Sequence, residues 1–85
     1  MNLEILTPEK KLFSDDVFGV QLPGISGSFE VLDQHAPMIG ALKEGRIKVL
    51  KDKNNHLAYF DTQRGFVEVL ANNVTVWLKA ARPRK

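Results

Sequence analysis

Hydrophobic and polar residues alternate along most of this 85-residue chain, in short segments bounded by turn-forming residues. Alternation with a period of two places successive side chains on opposite faces of a β-strand, so each such segment presents one apolar face to a core. The apolar faces of three segments are Phe18, Val20 and Leu22; Ile47 and Val49; and Val74, Val76 and Leu78. Many of these segments are also rich in β-branched and aromatic residues, which favour strands. The pattern therefore predicts strands along most of the chain.

One stretch permits a different interpretation, because residues 46–64 contain no glycine or proline. Its apolar residues Ile47, Leu50, Leu57 and Phe60 also fit a helical stripe. The pair Asn54-Asn55 in its middle favours two strands joined by a hairpin turn, since asparagine tolerates a positive φ and hydrogen-bonds its own backbone.

Short strands at regular spacing, with no amphipathic helix between them, are typical of a two-layer antiparallel fold. We predict an all-β protein, a small antiparallel β-sandwich of about eight to ten strands. The alternation stops at the closing sequence "KAARPRK". Residues 1–79 are therefore predicted to form one β-sandwich domain, and residues 80–85 a basic flexible tail.

Composition excludes several kinds of site. The chain has no cysteine, which rules out disulfides, thiolate metal sites and a cysteine nucleophile. Twelve basic and ten acidic residues leave a net charge of +2, and acids interrupt the basic stretches, so we expect no nucleic-acid partner. No apolar run approaches the roughly 18 residues that a membrane span needs, and the first residues do not form an export signal. We expect a soluble protein that does not insert directly into a membrane.

Residues with catalytic potential are present but scattered. The two histidines, His35 and His56, are far apart in sequence, which does not favour a metal site. Ser28, Asp33 and His35 contain the groups of a hydrolytic triad, but no nucleophile elbow surrounds the serine. The sequence therefore predicts neither an enzyme nor a bound cofactor or metal.

Two aromatic residues are out of phase with the predicted core. If Val74, Val76 and Leu78 point inward, Trp77 projects from the other face of its strand, and Phe66 raises the same question. A large exposed aromatic side chain indicates a surface that a partner covers. The alternative is that a twisted strand end turns the ring into a corner of the core, and the sequence leaves both interpretations open.

Four segments, read in order, resemble a known family. They are "LEILTPEKKLFS", "VFGVQLPGISGSF", "HAPMIGALKEGRIKV" and "RGFVEVLANNVTV", and together they cover most of Leu3 to Leu78. This series resembles the amino-terminal domain of the epsilon subunit of F-type ATP synthase. The resemblance implies a noncatalytic central-stalk subunit that links the gamma shaft to the ring of membrane c subunits and couples proton translocation to ATP synthesis. It also implies a peripheral position on the energy-coupling membrane, on the cytoplasmic face of the bacterial inner membrane.

The resemblance also assigns contact residues by position. It implies gamma-side contacts at Thr7, His35 and Gly40, and ring-side contacts at Ser26, Gly27 and Ser28. Most members of the family continue into a helical hairpin that restrains ATP hydrolysis, whereas this sequence ends at Lys85. No such inhibitory function is therefore expected of it.

A binding module of another class is the alternative. Basic residues gather between positions 46 and 53, where a free-standing β-sandwich would bind an anionic ligand. The residues in question are Arg46, Lys48, Lys51 and Lys53.

Overall fold

The computed structural model describes residues 1–84, which form ten β-strands and no helix. The all-β prediction and the expected number of strands are confirmed. The strands are β1 (Asn2–Leu6), β2 (Lys11–Asp16), β3 (Gly19–Gly24), β4 (Gly27–Leu32), β5 (Met38–Leu42), β6 (Gly45–Leu50), β7 (His56–Thr62), β8 (Gly65–Leu70), β9 (Asn73–Leu78) and β10 (Ala81–Arg84).

The strands form one continuous ladder that folds into two layers. Its order is β10-β7-β6-β3-β5-β8-β9-β1-β2, and β4 pairs with the free side of β3. Strands β3 and β5 share a single residue pair, Gly24 with Leu42, so the ladder turns a corner there. The first sheet is β2-β1-β9-β8-β5 and the second is β4-β3-β6-β7-β10. Phe13 in β2 meets Phe60 in β7 edge to face, at 6.0 Å between ring centroids, which joins the two layers.

One strand pair departs from the predicted antiparallel arrangement. β1 and β9 are parallel, with Leu3 beside Val74 and Leu6 beside Trp77, whereas every other pair is antiparallel. A short hairpin can join only antiparallel strands. Because most of the chain separates β1 from β9, no hairpin joins them and they can pair in parallel.

The core lies between the two sheets and takes one face of each strand. Burial is confirmed for most of the side chains predicted to point inward: Val20 and Leu22, Ile47 and Val49, and Val74, Val76 and Leu78. Each fully buried aliphatic side chain of this kind contributes roughly 1.5–3 kcal/mol. Phe18 differs from the prediction and is exposed, because it lies in the bend before β3 begins and the alternation of the strand does not extend to it.

The connection between β6 and β7 confirms the predicted turn but not its predicted cause. The carboxylate of Asp52 accepts hydrogen bonds from the backbone N–H groups of Asn54 and Asn55, at 2.9 and 3.0 Å, and from the Asn55 amide. Neither asparagine has a positive φ. Positive φ values occur instead at Ala71 and Asn72, the two central residues of the β8–β9 hairpin, as a type I′ turn requires.

The closing segment is more ordered than the sequence indicates. Ala81–Arg84 pairs with β7 as the edge strand β10, and Arg84 Nη1 donates a hydrogen bond to Asp61 Oδ2 at 3.0 Å. Pro83 is compatible with this position because an edge strand can leave one backbone donor unpaired. This strand replaces most of the flexible tail predicted for residues 80–85, of which Lys85 lies outside the described residues.

Several connections meet at one end of the sandwich, which we call the lower end. β1 ends there at Leu6, the β3–β4 hairpin turns there, and β8 begins there at Gly65. The opposite, upper end holds the β4–β5 connection with His35 and the β8–β9 hairpin.

Candidate protein-interaction surface

An apolar row crosses the outer face of the first sheet near the lower end. It consists of four residues that lie opposite one another on neighbouring strands: Ala41 in β5, Phe66 in β8, Trp77 in β9 and Leu6 in β1. The next residues along β8 and β9, Val67 and Leu78, are buried in the core. Because successive side chains of a strand point to opposite faces, the side chains of the row point away from the core. The row therefore places aromatic and aliphatic groups where an outer sheet face is usually polar.

The aromatic members of this row are well exposed. Phe66 is 48 % and Trp77 is 43 % accessible, and their rings stack with centroids 6.2 Å apart and planes inclined by 25°. Of the two interpretations left open by the sequence, the structure therefore supports outward projection of Trp77. Ile25, at the tip of the β3–β4 hairpin, is 63 % accessible. Exposed apolar groups gathered in this way are typical of a surface that a partner covers.

The row and the hairpin together border a groove of about 1000 Å³, which we call the apolar groove. Its apolar lining includes Leu6, Ile25, Ala41, Phe66 and Trp77, and Thr7 and Pro8 extend it beyond the end of β1. Four exposed charged residues also line it: Lys43, Glu44, Arg64 and Lys79.

Backbone contacts fix the shape of the apolar groove. At the corner between the sheets, the N–H of Ile25 donates to the carbonyl of Ala41 at 3.2 Å. Gly65 permits the close approach of β8 to β9, since a side chain there would overlap the carbonyl oxygen of Trp77. The position of Trp77 in the groove therefore depends on the absence of a side chain at Gly65.

Four of the six contact residues implied by the family resemblance lie at the lower end. Thr7 lines the apolar groove, and its backbone N–H donates to the carbonyl of Lys10 at 3.0 Å. Ser26, Gly27 and Ser28 are exposed beside Ile25 in the β3–β4 hairpin. Gly27 has φ 137°, and no heavy atom lies within 4 Å of the position that a Cβ would take there, so its surroundings are open.

The other two implied contact residues lie elsewhere. His35 is at the upper end, half-buried, and its Nδ1–H donates to the carbonyl of Ala36 at 2.8 Å. Gly40 is in β5, but a side chain there would point toward Val67 in the core, and the outward neighbours are Ile39 and Ala41. The structure thus does not gather Thr7, His35 and Gly40 into one patch, and their contact role stays a prediction.

Two exposed aliphatic residues, Ile25 and Ile39, are not among those predicted from the sequence. Ile25 lies within the turn "PGISG", and Ile39 is 75 % accessible on β5. An apolar residue at the tip of a polar turn is the signal that makes Ile25 a candidate contact residue.

The basic residues of the second sheet do not form a comparable site. Asp61 lies between two of them, with Oδ1 3.8 Å from Arg46 Nε and Oδ2 3.0 Å from Arg84 Nη1. Arg46 also lies over the Tyr59 ring, 5.3 Å from its centroid, so its positive charge already interacts with Asp61 and with this ring. Lys51 and Lys53 lie beyond the strands, in the β6–β7 connection. These positions do not favour the anionic-ligand alternative.

Two groups that lie away from the apolar groove, the Asp52 carboxyl and the Met1 amine, have a pKa displaced from its ordinary value. Hydrogen bonds from the backbone of Asn54 and the side chain of Asn55 lower the pKa of Asp52. A hydrogen bond to Asp33, 2.6 Å from the amine, raises the pKa of the Met1 amino group, against the effect of burial. Within residues 1–84 no group of His, Asp and Glu side chains has the arrangement of a metal site. That part of the chain also has no helix of the length and hydrophobicity that crossing a membrane requires.

Comparison with known proteins identifies the family. Residues 1–84 match the family model described as ATP synthase, Delta/Epsilon chain, beta-sandwich domain. The chain belongs to this ATP synthase family. Its resemblance to the epsilon subunit and its β-sandwich architecture are both confirmed.

Relatives from two bacteria carry the name ATP synthase epsilon chain. The chain is 42 % identical to that of Protochlamydia amoebophila over 74 residues and 39 % identical to that of Salinibacter ruber over 90. The aligned regions cover 87 % and 98 % of this chain but only 50 % and 60 % of those relatives. The sequence therefore spans about half to three fifths of the length of these two relatives.

A solved structure shares the fold at low sequence identity. A chain in the cryo-EM structure of the Euglena gracilis mitochondrial ATP synthase, with OSCP, F1 and c-ring, matches with a TM-score of 0.86. The identity is 18 %, and the match covers 95 % of this chain and 51 % of the other. This similarity establishes the common fold.

Proposed function

We propose that this β-sandwich is part of a noncatalytic central-stalk subunit of F-type ATP synthase. In this role it links the gamma shaft to the ring of membrane c subunits and couples proton translocation to ATP synthesis. Family membership supports the assignment, and the single structural observation that carries it is the exposed apolar groove. A rigid two-layer core suits such a subunit, because a close-packed interior transmits force with little deformation.

The lower end provides a surface for each partner in this proposal. The gamma subunit contacts the apolar groove at the lower end, including Thr7, and its contact continues along β5, which holds Gly40, to His35 at the upper end. The hairpin residues Ser26, Gly27 and Ser28 contact the polar loops of the c ring. Small side chains in this hairpin permit close backbone approach. The subunit is peripheral on the energy-coupling membrane, at the cytoplasmic face of the bacterial inner membrane, and binds no nucleic acid.

Removing the aromatic pair tests this assignment. In the variant Phe66→Ser/Trp77→Ser, we expect co-purification with gamma to be lost, since aromatic contacts at the centre of an interface contribute about 2 kcal/mol or more each. The matched control is Leu57→Ser/Leu70→Ser, which removes two exposed apolar side chains outside the groove. The proposal is wrong if both double variants retain gamma equally well in purified ATP synthase.

His35 has a separate test. The variant His35→Ala is expected to weaken the association with gamma more than it lowers the melting temperature of the domain. The reverse ranking identifies His35 as a residue that only packs the β4–β5 connection. Binding to purified gamma by calorimetry and thermal unfolding by circular dichroism give the two quantities.

A further inference from the structure

The charged lining of the apolar groove is unbalanced. Lys43, Arg64 and Lys79 are basic, and Glu44 is the single acidic residue. Among the described residues, none of these three basic side chains lies within 4 Å of a carboxylate. By contrast, the basic residues Arg46 and Arg84 on the second sheet share Asp61. The groove therefore combines apolar side chains with unpaired positive charge.

Backbone hydrogen bonds hold these positions in place. The N–H of Lys43 donates to the carbonyl of Pro23 at 2.9 Å, across the corner between the sheets. The N–H of Lys79 donates to the carbonyl of Arg64 at 3.0 Å, which extends the β8–β9 ladder beyond both strands. Because the backbone is fixed, the three side chains start from defined points around the groove, and binding does not have to order the main chain there.

We propose that the gamma segment seated in the apolar groove carries apolar side chains flanked by carboxylates. The apolar groups pack on Phe66 and Trp77, and the carboxylates pair with Lys43, Arg64 and Lys79. This inference rests on the proposed function and adds the chemistry of the partner segment. Charges arranged in this way set the orientation of the partner and the rate of its association, whereas the apolar contacts supply most of the affinity.

The shape of the groove favours a protein segment over a lipid surface. Side chains that enter a bilayer project from a convex surface, as on an amphipathic helix that lies in the interface. Here the Phe66 and Trp77 rings stack on the face of a sheet and border the apolar groove together with the hairpin that carries Ile25. A concave apolar surface of this kind accepts inserted side chains.

Charge reversal at the groove tests the proposal. We compare Lys43→Glu/Arg64→Glu/Lys79→Glu with Lys48→Glu/Lys51→Glu/Lys53→Glu, which changes the net charge equally outside the groove. Binding to purified gamma is measured by calorimetry at low and at high salt. The groove variant is expected to bind about tenfold more weakly or worse at low salt, because like charges meet across the interface. The control variant is expected to stay within about threefold, and high salt to weaken the unaltered protein.

Three outcomes separate this inference from the proposed function. If the groove variant binds gamma as well as the control while Phe66→Ser/Trp77→Ser does not bind, the inference about carboxylates is overturned and the function stands. If neither the charge-reversal variant nor Phe66→Ser/Trp77→Ser weakens binding to gamma, both the inference and the proposed function are overturned. If the groove variant loses binding to vesicles of phosphatidylserine but keeps gamma, the surface is a lipid site and the inference is overturned. Arg64→Gln/Lys79→Gln, expected to show a smaller loss in the same direction, replaces the triple variant if that one fails to fold.

Discussion

Gly65 offers the sharpest test of how β8 and β9 are held together. A methyl group at this position would overlap the carbonyl oxygen of Trp77 and lie 2.9 Å from both the carbonyl carbon of Trp77 and Cα of Leu78. Ordinary carbon–carbon contacts are about 3.5–4.0 Å. All three obstructing atoms belong to the backbone, so no rotation of a side chain relieves the overlap, and the variant Gly65→Ala must push the two strands apart.

The structure gives a magnitude for this perturbation. Overpacking in a close-packed region typically costs about 1–3 kcal/mol, and a collision with backbone belongs at the upper end. In a domain of this size, each kcal/mol lowers the melting temperature by roughly 4–8 °C. We therefore expect Gly65→Ala to lose about 3 kcal/mol and to melt roughly 12–24 °C lower.

Gly40→Ala is the matched control, since it makes the same change within the same sheet. The nearest atom to its methyl group would be Met38 Cε at 3.0 Å, the end of a flexible side chain, and Val67 Cγ1 follows at 3.5 Å. Restricting the unfolded chain offsets this small cost, so its stability should stay within about 1 kcal/mol of the parent. Urea unfolding followed by Trp77 fluorescence and circular dichroism measures both variants. A Gly65→Ala protein as stable as Gly40→Ala would refute the reasoning.

Three further predictions concern the core and two ionised groups. Leu22→Ala, at a fully buried position, should cost about 2–5 kcal/mol in urea unfolding, whereas the exposed Leu57→Ala should cost less than about 0.5. The pKa of Asp52 is lowered, so its stabilisation is present above pH 3.8 and disappears as the pH falls through the folded value. Asp52→Ala should therefore lower the melting temperature more at pH 7 than in acid. The pKa of the Met1 amine is raised, so its stabilisation is full below pH 8.0 and disappears as the pH rises through the folded value. The difference in melting temperature between the parent and Asp33→Asn should accordingly shrink at high pH, and a constant difference would contradict the amine–carboxylate contact.

Local pattern was sufficient to predict most of the strands. Period-two alternation places Val74 and Val76 on the same face whatever the neighbouring strand is, so burial of that face follows from the segment alone. The β6–β7 turn was also predictable, although the carboxylate of Asp52 fixes it rather than a positive φ at Asn54 or Asn55. Properties that depend on a few consecutive residues were thus available from the sequence.

Properties that depend on pairing between distant segments of the chain could not be predicted from the sequence. The parallel β1–β9 pair and the corner between Gly24 and Leu42 each join residues far apart in sequence. The same applies to the apolar groove, because Leu6 and Trp77 become neighbours only through that parallel pair. The sequence could identify Trp77 as out of phase with the core, but not the partners that border the groove with it.

Site-specific photocross-linking in the assembled ATP synthase tests the central claim most directly. A photoreactive phenylalanine analogue replaces Phe66 in the apolar groove in one variant, and Tyr59 on the second sheet in another. We expect position 66 to cross-link to the gamma subunit and position 59 not to do so. A groove position that cross-links to no subunit, or a cross-link to gamma from position 59 alone, would contradict the account.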